Sequence, residues 1–488
     1  MTGLGMLAAM SAPTFLWHDY ETFGTDARRD RPAQFAGIRT NGELEVIADP
    51  VMLYCKPPTD SLPHPEACLL TGITPQLAER EGLIECEFAA AVLEELGARG
   101  TCGVGYNSIR FDDEFTRNLL YRNFHDPYER EWKDGNSRWD LIDLARMCYA
   151  LRPQGIEWPR RDDGSPSFRL EDLASANGLK QQRAHDALSD VEALIELARL
   201  IRRRQPRLFD FHFGLRRKQQ ALQLLDVAHG TPIVHVSSRY PATRGCLAIV
   251  APLAMHPTNA NGVIVYDLDV DPAPLLELDA DDIAERVFVA RNDLPEDIPR
   301  IPLKLVHANR SPALAPLSVL KGIDSARIAL GVERALRHRE MLAGQTGLAR
   351  KLQAVFAAQP AFEAASDAEL ALYSGFLPDA DKRLLRDVRN SSADKLGSAS
   401  FVFKDPRYAE LLFRYRARNW PASLSDDEAD HWQAFRRQRL TTSSALTTLT
   451  LDEYFALIQH LRTSATQGQV TILDALEDWG MHLRRTLD

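Results

Sequence analysis

Early in the chain, short runs with strand spacing alternate with longer stretches of helical spacing. The run Thr14-Phe15-Leu16-Trp17 is short, apolar and rich in aromatic residues, so it reads as a buried strand closing on His18-Asp19-Tyr20-Glu21-Thr22. Gln34 to Thr40 and Glu43 to Ile47 flank Asn41-Gly42, a strong hairpin signal, so three antiparallel strands are predicted to open the domain. Helical periodicity covers Glu87 to Leu96, and Cys102 to Tyr106 reads as a further buried strand ended by Asn107. A helix is predicted to start at Phe111-Asp112-Asp113-Glu114 and run to about Asn123. Others fit Leu141 to Leu151 and Leu170 to Ala176, the latter stopped by Asn177-Gly178. Val191, Leu194, Ile195, Leu197, Ala198 and Ile201 keep helical spacing to about Arg204, with Asp186 as a candidate N-cap. This alternation predicts an α/β domain over residues 14–205, after an N-terminal extension of 1–13.

The pattern then changes. Ile233-Val234-His235-Val236, Leu247-Ala248-Ile249-Val250, Val263-Ile264-Val265-Tyr266 and Leu303-Lys304-Leu305-Val306 are short β-rich runs separated by Pro, Asn and Gly. They predict a small barrel or sandwich with a helix near Ser325 to Leu342, together spanning 206–355. Beyond about Gly344 the chain is mostly helical in period and lacks strand signals, residues 356–488 are taken as a helical domain, and Ser391 to Ser400 reads as a mobile loop. No internal repeat is seen.

Composition narrows the class. A chain of 488 residues is too long for one core and predicts roughly two to four domains. With 45% hydrophobic and 26% charged residues it is an ordinary globular composition, and no apolar run reaches bilayer length. Met1 to Pro13 lacks the basic start and apolar length of a signal peptide. Cys55, Cys68, Cys86, Cys102, Cys148 and Cys246 form no Cys-x-x-Cys pair, which predicts a reduced, cytoplasmic protein without structural zinc. The net charge of −10 argues against coating nucleic acid by bulk electrostatics, though local basic tracks remain open. The arginine-rich stretch Arg199 to Lys218 fits such a track or a solvated helix face and linker equally well.

The chemistry centres on Asp19 and Glu21. Residues two apart on a strand share a face, roughly 6.6 Å apart. Carboxylates that close raise each other's pKa unless a cation neutralises them. The pair alone means little, since 68 acidic residues give about nine acid-x-acid pairs by chance. Asp112 at a helix start, and Asp190 in the first turn of another with His185 on its lead-in, supply the rest. Capping is the competing reading for Asp112 and Asp113. All-oxygen donors without cysteine favour Mg2+ or Mn2+ over zinc. Two such ions about 4 Å apart can clamp an in-line phosphoryl displacement, and His185 can take the proton of the attacking water.

These elements, Asp19-x-Glu21, Asn107-x-x-x-Phe111-Asp112 and His185-x-x-x-x-Asp190, resemble the DEDDh exonuclease superfamily, whose fold is ribonuclease-H-like. Longer strings are similar to bacterial exonuclease I: His18 to Gly24, Asp30 to Phe35, Tyr128 to Arg146, Ser167 to Glu171 and Arg414 to Asn419. The resemblance implies an exonuclease domain, an SH3-like β barrel and an all-α C-terminal domain. It implies a monomeric 3′-5′ exonuclease that degrades single-stranded DNA to 5′-mononucleotides, processively, in repair and recombination. Asp19, Glu21, Asp112 and Asp190 would hold two Mg2+ ions, with Mn2+ able to substitute, and His185 would be the general base. Substrate contacts would come from Glu21, Arg117, Tyr128, Trp132, Arg146 and Arg169. The string around Arg416 and Arg418 fits a single-strand track, or a helix whose arginines pair with acids elsewhere. The family is stimulated by the single-stranded DNA-binding protein, and Arg152 and Phe211 resemble the residues that take its C-terminal tail. Phe211 stands where a tyrosine is more familiar, and lacks its hydroxyl. The same five site residues would serve a DEDDh exoribonuclease trimming RNA 3′ ends, although two added domains favour DNA. A non-catalytic strand-holding adaptor is the third reading, and the complete residue set argues against it.

Overall fold

The computed structural model describes residues 13–179, 187–289, 293–296, 298–323, 328, 330–358, 365–398 and 401–487. The chain divides into two compact units, one of Met1–Ser137, Gln181–Glu192 and Phe362–Asp488, the other of Arg138–Lys180 and Ala193–Ala361. No helix among the described residues is long and apolar enough to cross a membrane.

In the first unit, strands β1 (Thr14–Thr22), β2 (Pro32–Thr40), β3 (Val51–Tyr54) and β4 (Thr101–Gly105) lie in the order β3-β2-β1-β4. β1 runs antiparallel to β2 and parallel to β4. Alternation along β1 sends Leu16 and Tyr20 to a core shared with Phe35, Phe88, Val92, Leu96 and Leu119. Asp19 and Glu21 are therefore on the opposite face. Trp17 is fully buried, and its indole N–H donates to the Thr40 hydroxyl at 2.9 Å. The helices Glu85–Gly97 and Asp112–Arg122 that pack on the core fall where the periodicity predicts them.

Three local expectations need correction. The third strand is Val51–Tyr54 rather than Glu43 to Ile47. Asn41-Gly42 does turn the chain back, with Asn41 N–H donating to the Glu45 carbonyl and Ile47 N–H to the Arg39 carbonyl, but the return pairs through a single antiparallel bridge, Thr40 to Val46. The Asn41 side-chain oxygen accepts from the backbone N–H groups of Glu43 and Glu45, and Leu44 takes a φ of 67°. This local capping bends the chain away from β2 before it can pair fully. Ser391 to Ser400 is not simply a loop, because Ala393–Ser398 is helical with Leu396 buried. Asp112 does not cap its helix, whose N-cap is Phe111 without a side-chain bond.

The C-terminal helices belong to the same unit as β1. Phe23, Leu62, Ile73 and Ala78 pack with Leu451, Tyr454, Ile458, Leu476 and Trp479. Tyr121 and Phe124 pack with Leu385, Tyr408, Leu411 and Tyr415. Between these clusters runs a buried charge network. Fully buried Glu369 accepts from Arg31 at 2.7 Å, Arg414 at 2.9 Å and Arg418 at 2.6 Å. Fully buried Asp60 accepts from Arg418 at 2.8 Å and Arg439 at 2.5 Å, and Glu85 pairs with Arg122 at 2.9 Å. Burial alone would raise the Glu369 carboxyl. The arginines around it, Arg418 foremost, outweigh burial and hold it well below its ordinary range.

The second unit takes up β5 (Ser137–Asp140) from Arg138 on and holds the helices Leu141–Leu151 and Leu170–Ala176; of the helix Ala187–Arg204, the residues to Glu192 belong to the first unit and the rest to the second. β6 (Ile233–Val236), β7 (Leu247–Met255), β8 (Gly262–Asp267), β9 (Leu303–His307) and β10 (Ala313–Pro316) form an antiparallel sheet in the order β10-β6-β7-β8-β9. The first four match the predicted runs. β10 was not anticipated, whereas the helix Leu348–Ala357, which packs on this sheet's core, falls within the helical period expected beyond Gly344. The helix expected near Ser325 to Leu342 is described from Val332.

Candidate active site

β1 brings Asp19 and Glu21 to its C-terminal end, and a sharp turn after β4 brings the third carboxylate. Gly105 makes this turn possible: a Cβ there would lie 2.5 Å from the Ser108 Cβ. Asn107, at φ 64°, reverses the chain, and the Ser108 carbonyl accepts from Phe111 and Asp113 N–H at 3.2 and 2.9 Å. Asp112 then opens its helix facing β1, where its Oδ1 accepts from the Tyr20 backbone N–H at 3.1 Å. Asp190 projects from the first turn of the helix Ala187–Arg204.

Ligand oxygens of Asp19, Glu21 and Asp190 lie within 4.8 Å of one another. Burial raises the Asp19 carboxyl well above its ordinary range, and the charges of Asp112, Glu21 and Asp190 raise it further, Asp112 most. Three carboxylates this close, with the charge of Asp112 acting on Asp19 beside them, constitute an anionic site that a cation would neutralise. The donor set is all oxygen, so it fits a hard divalent ion. The sequence thus brought together the residues the fold brings together: Asp19, Glu21, Asp112 and Asp190. His185 and the candidate cap Asp186 lie outside the described residues.

Asp113 does something different from its neighbour. It points inward, 1% exposed, and accepts from Arg130 Nη2 at 2.6 Å; Arg130 is itself 4% exposed. Tyr20, whose hydroxyl accepts from Thr116 Oγ1 at 3.1 Å, is buried on the inner face of β1. Sequence reasoning treated Asp113 as a cap. The signal for its real position is only the arginine seventeen residues on.

The residues implied as strand contacts fall into distinct settings. Trp132 is 65% exposed, and with Tyr128 it lines a cavity of about 360 Å3 completed by Tyr373, Phe376, Leu372 and Tyr408. Tyr373 and Phe376 were not singled out from sequence, although Phe376 is almost wholly exposed. Arg117 is buried, held by Glu131 at 2.7 Å and Glu114 at 2.8 Å, with its guanidinium 5.4 Å from the Tyr128 ring. Arg146 pairs with Asp143 at 2.7 Å. Arg169 is largely exposed beside Glu171. Arg152 ends the helix Leu141–Leu151 and donates to the carbonyls of Leu151 and Val319, while Phe211 is 38% exposed on the helix Pro206–Gly214.

Arg416 and Arg418 are corrected from track to framework. Arg416 donates to both Glu428 oxygens at 2.6 and 2.9 Å, and Arg418 is locked between Asp60 and Glu369. Arg416 is buried and the Arg418 side chain is 5% exposed, and Arg416 Nη2 also donates to the Ser423 carbonyl. This is the ion-paired helix weighed as the other reading of that string.

Comparison with known proteins supplies the wider context. Three family models match in succession: Exonuclease over residues 16–198, Exonuclease I SH3-like domain over 216–358, and Exonuclease I C-terminal domain over 366–483. Exodeoxyribonuclease I of Escherichia coli strain K12 is 47% identical over 88% of this chain and 90% of its own length. That of Haemophilus influenzae is 42% identical over 96% and 98%. Among solved structures, the moderately thermophilic exonuclease I from Methylocaldum szegediense superposes with a TM-score of 0.93 at 49% identity, covering 97% of this chain and all of that one. E. coli exonuclease I in complex with a dA16 oligonucleotide gives 0.92 at 45%, covering 96% and 100%. Other solved forms are a zinc-bound complex of the E. coli enzyme with single-stranded DNA, TM-score 0.90 at 44% identity, and an ExoI/SSB-Ct complex with the same values; both cover 97% of this chain and at least 99% of their own. The order of exonuclease, SH3-like and C-terminal domains is the one expected from the sequence. With similarity running along nearly the whole chain, the protein belongs to the exonuclease I family and is a nuclease.

Proposed function

We propose that this chain hydrolyses single-stranded DNA from its 3′ end, releasing 5′-mononucleotides and staying on the strand between cuts, in DNA repair and recombination. The observation that carries the reading is the convergence of Asp19, Glu21 and Asp190 within 4.8 Å, with Asp112 beside them. These four residues would hold two Mg2+ ions, or Mn2+ in their place, with Asp112 binding directly or through water. Bound there, the ions supply the positive charge that stabilises the attacking and leaving oxygens of the phosphodiester. His185 takes the proton of the attacking water. Tyr128 and Trp132, with Tyr373 and Phe376 beside them, offer faces for base stacking, and exposed Arg169 offers a phosphate contact. Arg117 and Arg146 act in this reading only if they exchange carboxylate for phosphate. The domains are taken as 14–205, 206–355 and 356–488. Arg152 and Phe211 form the docking point for the C-terminal tail of the single-stranded DNA-binding protein, the partner named in the solved ExoI/SSB-Ct complex.

The test uses 5′-labelled single-stranded DNA and RNA of one sequence, each with Mg2+ and with EDTA. Shortening of the DNA from its 3′ end in Mg2+, none in EDTA and little on RNA is the expected result. Preferential RNA trimming would establish the exoribonuclease instead. Tight DNA binding without cleavage of either polymer in Mg2+ would make the protein an adaptor.

A further inference from the structure

We infer that Arg130 and Asp113 are a positioning pair that sets the Asp112 carboxylate for metal binding, an inference that rests on the proposed metal site. Consecutive residues on a helix point about 100° apart, so Asp112 and Asp113 cannot serve the same face. Asp112 faces β1, and Asp113 faces the interior. A buried carboxylate is costly unless it is paired, and Arg130 is the partner, at 2.6 Å.

Arg130 lies on the single turn Glu129–Glu131, and the next residue of that turn makes a second tie to the same helix. Glu131 accepts from Arg117 Nε and Nη2 at 2.7 and 2.9 Å. Asp113 and Arg117 are four residues apart and so lie on one face of the helix Asp112–Arg122. Two ion pairs one turn apart therefore rivet the segment 129–131 along that face. Rotation of the helix about its axis, the motion that would swing Asp112 away from β1, has to break both. The guanidinium is also wedged against the sheet. A Cβ on Gly103 of β4 would lie 3.8 Å from Arg130 Nη1 and 3.6 Å from the His18 ring, so both side chains close over that glycine.

A buried ion pair is poor evidence of stabilisation, since an apolar pair of similar volume often does as well. What an apolar pair would not supply is a directed, charge-assisted hydrogen bond, here from one arm of the guanidinium fork, Arg130 Nη2, to Asp113 Oδ1 at 2.6 Å. Partners that orient metal ligands from behind typically account for about 10- to 100-fold in metal affinity. The same segment is flanked by Tyr128 and Trp132, so the surface offered to the strand and the helix carrying Asp112 share one mechanical support.

The experiment is calorimetric titration of the full chain with Mn2+ in the absence of DNA, paired with nuclease rate against Mn2+ concentration. The double variant Asp113→Asn/Arg130→Met removes both buried charges together and so avoids leaving either one unpaired. It is expected to weaken Mn2+ binding at least about tenfold, while the rate at saturating Mn2+ recovers to within about threefold of the parent. A purely structural role would lower the melting temperature and leave the Mn2+ Kd of the folded protein unmoved, and a Kd within about twofold of the parent overturns the inference. Should the double variant not fold, Arg130→Lys decides, because it keeps the buried charge but not the fork. Binding at least about threefold weaker then supports the pair, and parental binding overturns it. If the parent chain itself binds no Mn2+ and cleaves without metal, the metal site is wrong and the pair falls with it.

Discussion

Glu369→Gln is the most informative single change to the framework. The amide keeps the shape but removes the charge, and it replaces one of the two oxygens that accept from Arg31, Arg414 and Arg418 with a donor. The three arginines are not equally stranded. Arg418 keeps Asp60, Arg414 keeps Asp367 and Glu410, and Arg31 keeps Glu85 at 3.4 Å with the carbonyls of Arg29 and Asp30. Breaking a buried pair in this way costs about 3–5 kcal/mol. At about 2 °C per kcal/mol for a unit of this size, the melting temperature should fall by about 6–10 °C. Urea unfolding at pH 7, followed by tryptophan fluorescence, measures the difference. Acid supplies the second arm. The Glu369 carboxyl is held well below its ordinary value of 4.5 in the folded state. Its stabilisation is therefore complete above that pH and drains away as pH falls toward the folded value. Parent and variant should converge by about 1.4 kcal/mol per pH unit below about pH 4. A difference under about 1 kcal/mol at pH 7, or one that acid leaves unchanged, would refute the view that this carboxylate holds the network together.

Four other outcomes are expected. Asp19→Asn should reduce nuclease activity by more than about 100-fold, beyond the usual effect of outer partners, while raising the metal-free melting temperature by relieving repulsion; calorimetry and a turnover assay check both. His185→Ala should lose about 10²- to 10⁴-fold in single-turnover rate with Mn2+ binding intact, and normal turnover per folded molecule would reduce it to a structural histidine. Trp132→Ala should weaken single-stranded DNA by about 1–3 kcal/mol in fluorescence anisotropy, as loss of one stacked base does, and an unchanged Kd would remove the aromatic cavity from the strand's path. Arg152→Ala should abolish binding of a fluorescent tail peptide, and parental affinity would dismiss that docking point.

What could be read from the sequence depended on the range over which each residue's partner lies. β1 and the helices at Asp112–Arg122, Leu141–Leu151 and Leu170–Ala176 follow from local periodicity, and they are where the pattern puts them. The carboxylates were legible because strand spacing and helix starts fix where they point. Glu43 to Ile47 misled because Asn41 satisfies two backbone donors by itself, which no hairpin rule registers. Arg416 and Arg418 show the deeper limit. A strand track and a buried ion-paired helix have the same composition, and the partner that settles the matter for Arg418 is Asp60, 358 residues away. Asp113 was hidden by its neighbour, since adjacent acids at a helix start look alike until the fold turns one to β1 and the other to Arg130.

The network around Glu369 and Asp60 also sets a timetable. Arg31 waits for Glu369 over 338 residues of synthesis, and Asp60 waits for Arg439 over 379. At about 5–20 residues per second, roughly 20–75 s separate the emergence of one partner from the other. Through that interval the nascent strand bearing Asp19 and Glu21 belongs to a core whose ionic partners have not been translated. Burying Arg31 or Asp60 early would strand a charge, so those sites must stay wet until the distal helices arrive. Translation thus orders assembly: the carboxylate cluster is among the first chemistry made, and the fold that holds it rigid is among the last things finished.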